Sequence, residues 1–320
     1  MKKTLSIILI TCLVLTMGVF ASAHENTDTS NSDSIKEVIT PEEKAFNEKI
    51  DQYFDNHDKE SIEKTLKKLF SAKISEIEML ETLKNMTDAE LSKQGYSKND
   101  IKKLRSLDYA EKLKERAKYS EETLKSMGYS DEKIEMLKNF DGSQEQVTAL
   151  SATLSIDGFT GMYSYSSSTN QTKHSGIVSW EWDYAPVWAF TDIIGASWFE
   201  GWHLSSTAYH NVYYEHSLGT RATQTSKKSF SAVETIAAKS TFPVTGTVYG
   251  DLDYMWARSG YVNLIIYIAG NELNSNIMIK YGHRQVVGTP SISVVGGLDF
   301  NFNTGTSEAG SYLIQYPDEG

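Results

Sequence analysis

The 320 residues carry 31 basic and 42 acidic side chains, a formal net charge of −11 at pH 7, and one cysteine. A chain this acidic is repelled by nucleic acid and by anionic membrane surfaces, which disfavours both as partners. The lone thiol, Cys12, lies in an apolar leader. Without it the rest of the chain has no disulfide, cysteine nucleophile or thiolate ligand, and a hydrophobic core must hold it together.

Lys2 and Lys3 precede an apolar run over residues 5–20, and Ala21-Ser22-Ala23 follows. A positive start, an apolar middle and a small-residue exit define a secretory signal peptide over 1–23, with cleavage predicted before His24. The alternative is an uncleaved anchor, but the run is near the short limit for spanning a bilayer. Cys12 has Thr11 before it and Leu13 after it, which does not fit a lipidation site. Loss of Lys2 and Lys3 takes the net charge from −11 to −13. No later apolar stretch is long enough to cross a membrane, so the sequence predicts a secreted product with no transmembrane anchor.

Residues 24–35 are polar and read as a disordered leader. Composition then changes near residue 150. Residues 24–150 hold 28 acidic and 21 basic side chains and no tryptophan, whereas 151–320 hold all six tryptophans. The shift predicts an α+β multidomain chain: a small N-terminal helical bundle or pro-region over 36–140, a linker over 141–150, and an all-β antiparallel sandwich over 151–320.

The first helix is signalled by Thr40, Pro41 and Glu43, a capping box with proline at the first helical position. Phe46, Ile50, Tyr53 and Phe54 give it one apolar stripe. Further helices are predicted over 61–70, 74–85 and from 87 onward, the last opened by a second box at Thr87 and Glu90. An internal repeat follows: Leu91, Gly95, Tyr96, Ser97, Ile101, Leu104 and Asp108 recur 33 residues later as Leu124, Gly128, Tyr129, Ser130, Ile134, Leu137 and Asp141. Each copy reads as a helix, a glycine that adopts positive φ, a packed tyrosine, and a serine that caps the next helix. Such a unit serves a small bundle or a recognition surface.

From 152 onward, short alternating segments separated by Gly, Asn and Ser predict strands over 152–156, 161–166, 176–182, 187–194, 196–202, 205–214, 221–230, 233–242, 248–256, 261–269, 276–281, 291–295 and 312–316. Arg258-Ser259-Gly260 and Ala269-Gly270-Asn271 are predicted hairpin turns.

On a strand, Trp180 and Trp182 face one side and Glu181 and Asp183 the other. The carboxylate pair is a candidate acid/base site for glycoside hydrolysis, and the plainer alternative is tryptophans in the core with acids in water. Trp180, Trp182, Trp188, Trp198, Trp202, Tyr213 and Trp256 are candidate ligand-binding aromatics, more than one core ordinarily needs; core filling is the alternative. His203, His210 and His216 lack metal-ligand spacing, so no metal site and no cofactor is predicted. No G-x-S-x-G occurs, and Tyr281-Gly282-His283-Arg284 reads as a dense polar turn after a strand. Residues 221–247 alternate and are rich in Ser and Thr, a pattern that lines membrane pores after refolding or forms an ordinary exposed sheet.

The signal peptide, the Gly-Tyr-Ser segments, Trp180-x-Trp182 and Tyr281-Gly-His-Arg284 together resemble uncharacterised secreted proteins of Gram-positive bacteria. The resemblance implies export and no activity, so no residue takes a role from it. The reading is a non-enzymatic extracellular binding protein whose partner is a protein or glycan, with the helical region as a possible pro-segment. A pore-forming or antibacterial toxin and a hydrolase using paired carboxylates are the alternatives.

Overall fold

The computed structural model describes residues 36–56, 58–216, 222–246, 255–286, 290–296, 298–302 and 306–316. The predicted signal peptide and leader lie outside them. Thr40 caps α1 (Pro41–Asp55) by accepting the Glu43 N–H. Asp58 caps α2 (Lys59–Thr65) in the same way. The chain then extends as β1 (Lys68–Ser75) and enters a series of short helices. These are α3 (Glu76–Asn85), α4 (Asp88–Lys93), α5 (Lys98–Ser106), α6 (Tyr109–Arg116), α7 (Glu121–Ser126), α8 (Asp131–Lys138) and α9 (Gln144–Ala149).

The repeat folds as its sequence predicts. Gly95 and Gly128 have φ of 89° and 86°. Ser97 and Ser130 then cap α5 and α8, and Tyr96 and Tyr129 are buried. Within 141–150 the chain forms α9, and Val147, Leu150 and Ala152 are buried.

The strands are β2 (Thr153–Ser166), β3 (Gln171–Trp182), β4 (Thr191–Trp198), β5 (His203–Leu204), β6 (Tyr209–His216), β7 (Ala222–Ser229), β8 (Ser231–Glu234) and β9 (Ala237–Pro243). After them come β10 (Thr245–Gly246), β11 (Met255–Ala269), β12 (Ser275–Arg284), β13 (Ile292–Gly296), β14 (Asp299–Phe302) and β15 (Thr306–Tyr316). The first sheet runs β1-β2-β3-β11-β6-β7, with β5 and β10 also on β11; the second runs β15-β12-β4-β9-β8. A small third sheet pairs β13 with β14. The pairings among described strands are antiparallel.

The two large sheets face each other. Trp180 of the first stacks on Phe242 of the second at 4.9 Å. A Cβ added to Gly176 would sit 2.5 Å from Ile314 of the opposite sheet, so glycine there sets how closely the layers approach.

Three expectations are corrected. Residues 68–70, predicted as the end of a helix, begin β1, whose Ser75↔Thr153 to Ser71↔Asp157 pairing adds a strand to the first sheet. Phe70, Ala72 and Ile74 alternate with polar neighbours and pack on the main core, a period-two pattern that pairing with β2 turns into strand. Arg258-Ser259-Gly260 is not a turn but a bulged part of the continuous β11. Gly260 is small there because Trp180 leaves no room for a Cβ, which would lie 2.6 Å from the indole. Residues 187–190 are not strand, and β4 begins at Thr191.

The helices do not close on a bundle core of their own. Leu91, Leu104, Leu113, Leu124 and Leu137 belong to the same buried cluster as Trp182, Trp256 and Leu264. Trp256 donates its indole N–H to the Ser126 carbonyl at 3.1 Å, joining β11 to the end of α7. Residues 35–320 form one compact unit. α1 and α2 are the exception in packing. With Phe159, Ile177, Tyr209, Tyr213 and Tyr261 they build a separate apolar cluster on the outer face of the first sheet.

Candidate functional site

Strand alternation places Ser155, Asp157, Ser179, Glu181, Ser259 and Tyr261 on that outer face. Register aligns them in rows across the strands. One row reads Lys73, Ser155, Glu181, Ser259, Tyr213. The next begins Ser71, Asp157, Ser179, Tyr261. Phe54 of α1 and Ile62 and Glu63 of α2 stand over the rows and close a groove of about 360 Å³. Its floor alternates hydroxyls, amines and carboxylates, and its apolar walls are Phe54, Ile62 and Phe159.

The groove's charges are paired at their bases. Lys68 lies 2.8 Å from Asp157 and 3.7 Å from Glu63. Arg258 lies 3.5 Å from Glu181 and 3.1 Å from Glu215. These contacts hold the carboxylates in place as acceptors beside the cations.

The sequence-predicted aromatics go elsewhere, with one full exception. Trp180, Trp182, Trp188, Trp198, Trp202 and Trp256 are each at most 4 % exposed. Their indole contacts are internal: Trp180 N–H donates to His210 Nε2 at 3.1 Å, Trp182 to the Tyr281 hydroxyl at 3.3 Å, and Trp198 to the Trp202 carbonyl at 2.9 Å. Trp188 meets the Tyr109 ring edge-on at 5.2 Å, and Trp202 lies against His174. Tyr213 reaches the groove, and Trp180 borders it from beneath. Glu181 is in the groove but Asp183 is not. Asp183 accepts the N–H groups of Thr153 at 2.7 Å and Tyr184 at 2.9 Å, and burial raises its pKa. Asp183 lies just past the end of β3, and the two acids do not converge in one cleft.

Of the histidines, His203 is exposed beside Tyr267. His210 is buried against Trp180 and Phe242, and desolvation pushes its pKa down to about 3. The His216 side chain lies outside the described residues. Among the described residues no three His, Cys, Asp or Glu gather as metal ligands.

Sequence reading missed a buried ionic cluster. His283 donates through Nδ1 toward Asp192 at 3.0 Å and through Nε2 toward Glu76 at 3.2 Å, and all three side chains are fully buried. Burial alone would lower the imidazole pKa. The two carboxylates reverse that and raise it to about 10. Glu76 also accepts the Val187 and Trp188 N–H groups and the Tyr109 hydroxyl. Asp192 accepts the Tyr281 hydroxyl at 2.6 Å and the Arg284 N–H at 2.9 Å. Beside it, Arg116 donates to Tyr129 and to the Ala185 and Pro186 carbonyls. With every carboxylate oxygen and both ring nitrogens engaged, the cluster binds α3 and the 185–188 segment to the second sheet and offers no open position to a substrate. Its signal was Tyr281-Gly-His-Arg284, which lies inside β12 and is not a turn.

No family model and no curated protein matches this chain. Among solved structures, the collagen-binding subdomain of the Enterococcus faecalis surface protein ACE aligns at 6 % identity and a TM-score of 0.23, covering 46 % of this chain and 86 % of that one. Clostridium perfringens delta-toxin aligns at 8 % and 0.20, covering 52 % and 83 %. A pore-forming protein aligns at 8 % and 0.19, covering 52 % and 78 %. Likeness at this level carries no argument about fold or function.

Proposed function

We propose that this chain is a secreted, non-enzymatic binding protein that takes a short, hydroxyl-rich ligand of the glycan class in the groove on the outer face of the first sheet. The observation that carries the reading is the row Lys73, Ser155, Glu181, Ser259, Tyr213. It sets donors and acceptors side by side across five strands, with Phe54 above them. Vicinal hydroxyls pair with carboxylates and amines spaced in this way, and rings cover the apolar face of a sugar. Asp157 and Glu181 are paired with Lys68 and Arg258, which holds both carboxylates in place as acceptors for ligand hydroxyls. Asp183, tied to backbone N–H groups, leaves the paired-carboxylate hydrolase without its second member.

Export rests on the leader over 1–23, with the product starting at His24. Among the described residues no helix is long and apolar enough to cross a membrane. Removal of the whole helical region near 149–152 would tear open a shared interior, because Leu150 and Ala152 are fully buried. The reading therefore keeps α3–α9 with the strands. The pore-forming alternative requires 221–247 to leave both sheets: β7 pairs β6 over eight positions in the first, and β9 pairs β4 in the second.

Calorimetric titration of the secreted chain with a panel of neutral and acidic oligosaccharides tests the proposal. Micromolar to millimolar binding is expected, weakened about tenfold or more by Lys73→Ala or Glu181→Gln, the effect of one charge-assisted hydrogen bond. Binding that neither variant alters, or dye leakage from liposomes with no glycan binding, would replace this reading.

A further inference from the structure

A second cleft opens between the helices and the far side of the molecule from the groove's floor strands. Its exposed rim is Thr82 of α3, Asn301 of β14 and Glu308 of β15, and its buried residues are Leu83, Phe302 and Thr306. Met86 and Gln94 complete it, and the free volume is about 300 Å³, enough for a small organic molecule. The Thr306 side chain is 3 % exposed, and its hydroxyl meets no hydrogen-bond partner among the described residues. Directly across the β12–β15 ladder from it is Arg284, 2 % exposed. Paired residues of an antiparallel ladder rise from the same face with Cβ atoms about 5 Å apart. The Arg284 guanidinium donates through Nε to the Val286 carbonyl at 2.6 Å, while its Nη1 meets no hydrogen-bond partner among the described residues. A buried cation with an unpaired N–H carries a desolvation penalty that an anion beside it offsets.

The internal repeat supplies a comparison. In its second copy the Tyr129 hydroxyl meets Arg116, whose remaining donors are taken by the Ala185 and Pro186 carbonyls. In its first copy Tyr96 has Arg284 within electrostatic reach, and Nη1 of that arginine is left without such a carbonyl. Gln94, two residues before Tyr96, lines the cleft, as does Thr306, so the unpaired donors lie at its edge. Charge limits the occupant. Asp100 is within electrostatic reach of Arg284, and Glu308, held by Lys280 at 3.1 Å, stands on the rim. These acids repel a dianion but leave one cation for a single negative charge. Leu83, Met86 and Phe302 supply an apolar lining.

We infer that the cleft between α3 and the β14–β15 strands binds a small monocarboxylate with an apolar body, its carboxylate taken by the Arg284 guanidinium and the Thr306 hydroxyl. Arginine suits this role because its planar N–H groups match a carboxylate, and burial strengthens the contact. The site shares no residue with the groove and does not rest on the glycan reading.

Calorimetric titration of the full chain with hexanoate, and with hexanamide as its uncharged counterpart, tests the inference. Hexanoate is expected to bind with a Kd of about 1 mM or below, and hexanamide at least tenfold more weakly. Thr306→Val keeps the outline of the side chain and is expected to weaken hexanoate about tenfold, while Arg284→Gln abolishes binding. Should the Arg284 variant fail to fold, the Thr306 variant and the amide still decide. Inorganic phosphate is expected not to displace hexanoate, and displacement overturns the carboxylate assignment. Equal binding of hexanoate and hexanamide, binding that Thr306→Val leaves unchanged, or no hexanoate binding at about 10 mM overturns the inference.

Discussion

The two faces of the first sheet are covered by different materials. On the inner face, Trp180 and Trp182 meet Phe242 and Tyr281, and the ionic groups at the margin of that interior, Glu76, Asp192 and His283, are sealed from water. On the outer face, α1 brings acids to tyrosine hydroxyls around a small apolar cluster. Charge serves both, but depth changes what it does. A sealed ion cluster carries a desolvation penalty that only complete pairing offsets, so loss of one member is severe. A hydrogen bond near the surface contributes about 1 kcal/mol net, because water substitutes for either partner. The outer face holds both kinds of contact: Glu43 is sealed against Lys173, while Asp51 and Asp55 meet tyrosine hydroxyls nearer the surface.

The sharpest attempt to break this contrast is His283→Ala. It leaves Glu76 and Asp192 buried without their shared cation, and a loss of about 3–5 kcal/mol in urea unfolding is expected. A loss below about 1 kcal/mol would mean that water reaches the cluster and that the two faces do not differ as described.

Acidity probes the same interior. His174 and His210 are buried as neutral rings, with pKa values pushed down by desolvation to about 4 and about 3. The unfolded chain takes up their protons below about pH 6.5 while the folded chain does not. Together the two rings should lower stability by about 5 kcal/mol between pH 6.5 and 4. His283 has the opposite sign. Its folded pKa is raised to about 10, so its contribution is complete below about pH 6.5 and is lost as pH rises from there through about 10. Thermal midpoints across pH should peak near neutrality, and a chain that grows more stable from pH 6.5 to 4 contradicts the assignment.

Glycine substitutions give a smaller, graded comparison. Gly128 and Gly270 both have positive φ, but a Cβ at Gly128 meets the Trp256 ring at 3.0 Å, while at Gly270 nothing lies within 4 Å. Gly270→Ala should cost about 1 kcal/mol and Gly128→Ala about 2 kcal/mol, because the repeat's turn packs on the shared core. Equal costs would separate the repeat from the strands energetically. The smallest effect belongs to the outer face. Tyr213→Phe removes the donor to Asp55, and the urea midpoint should shift by about 1 kcal/mol or less. A shift like that of His283→Ala would show that α1 is part of the fold's foundation.

Local pattern made much of this legible. Alternation placed Trp180 and Trp182 inside with Glu181 outside, and the repeat's glycines and capping serines sit where their residue types require. What failed depended on distant pairing. The Leu66, Leu69 and Phe70 spacing suits a helix, and only the β2 partner makes 68–75 a strand. Gly260 has the look of a turn until Trp180 is placed against it. The tryptophan surplus is real for a sandwich alone, but helices also pack against it: Trp256 reaches Ser126 and Trp188 reaches Tyr109. The groove was unreadable because α1, α2 and five strands each contribute to it; only Glu181, Trp180 and Tyr213 had been singled out.

Helices α3–α9 and the strands share one interior. All six tryptophans lie within 180–256, while the helices come from 41–149. Urea unfolding followed at once by helix circular dichroism and by tryptophan fluorescence therefore reports the two parts separately. Coincident transitions with one midpoint are expected. Loss of the helical signal while the tryptophans remain in their native environment would contradict the shared interior.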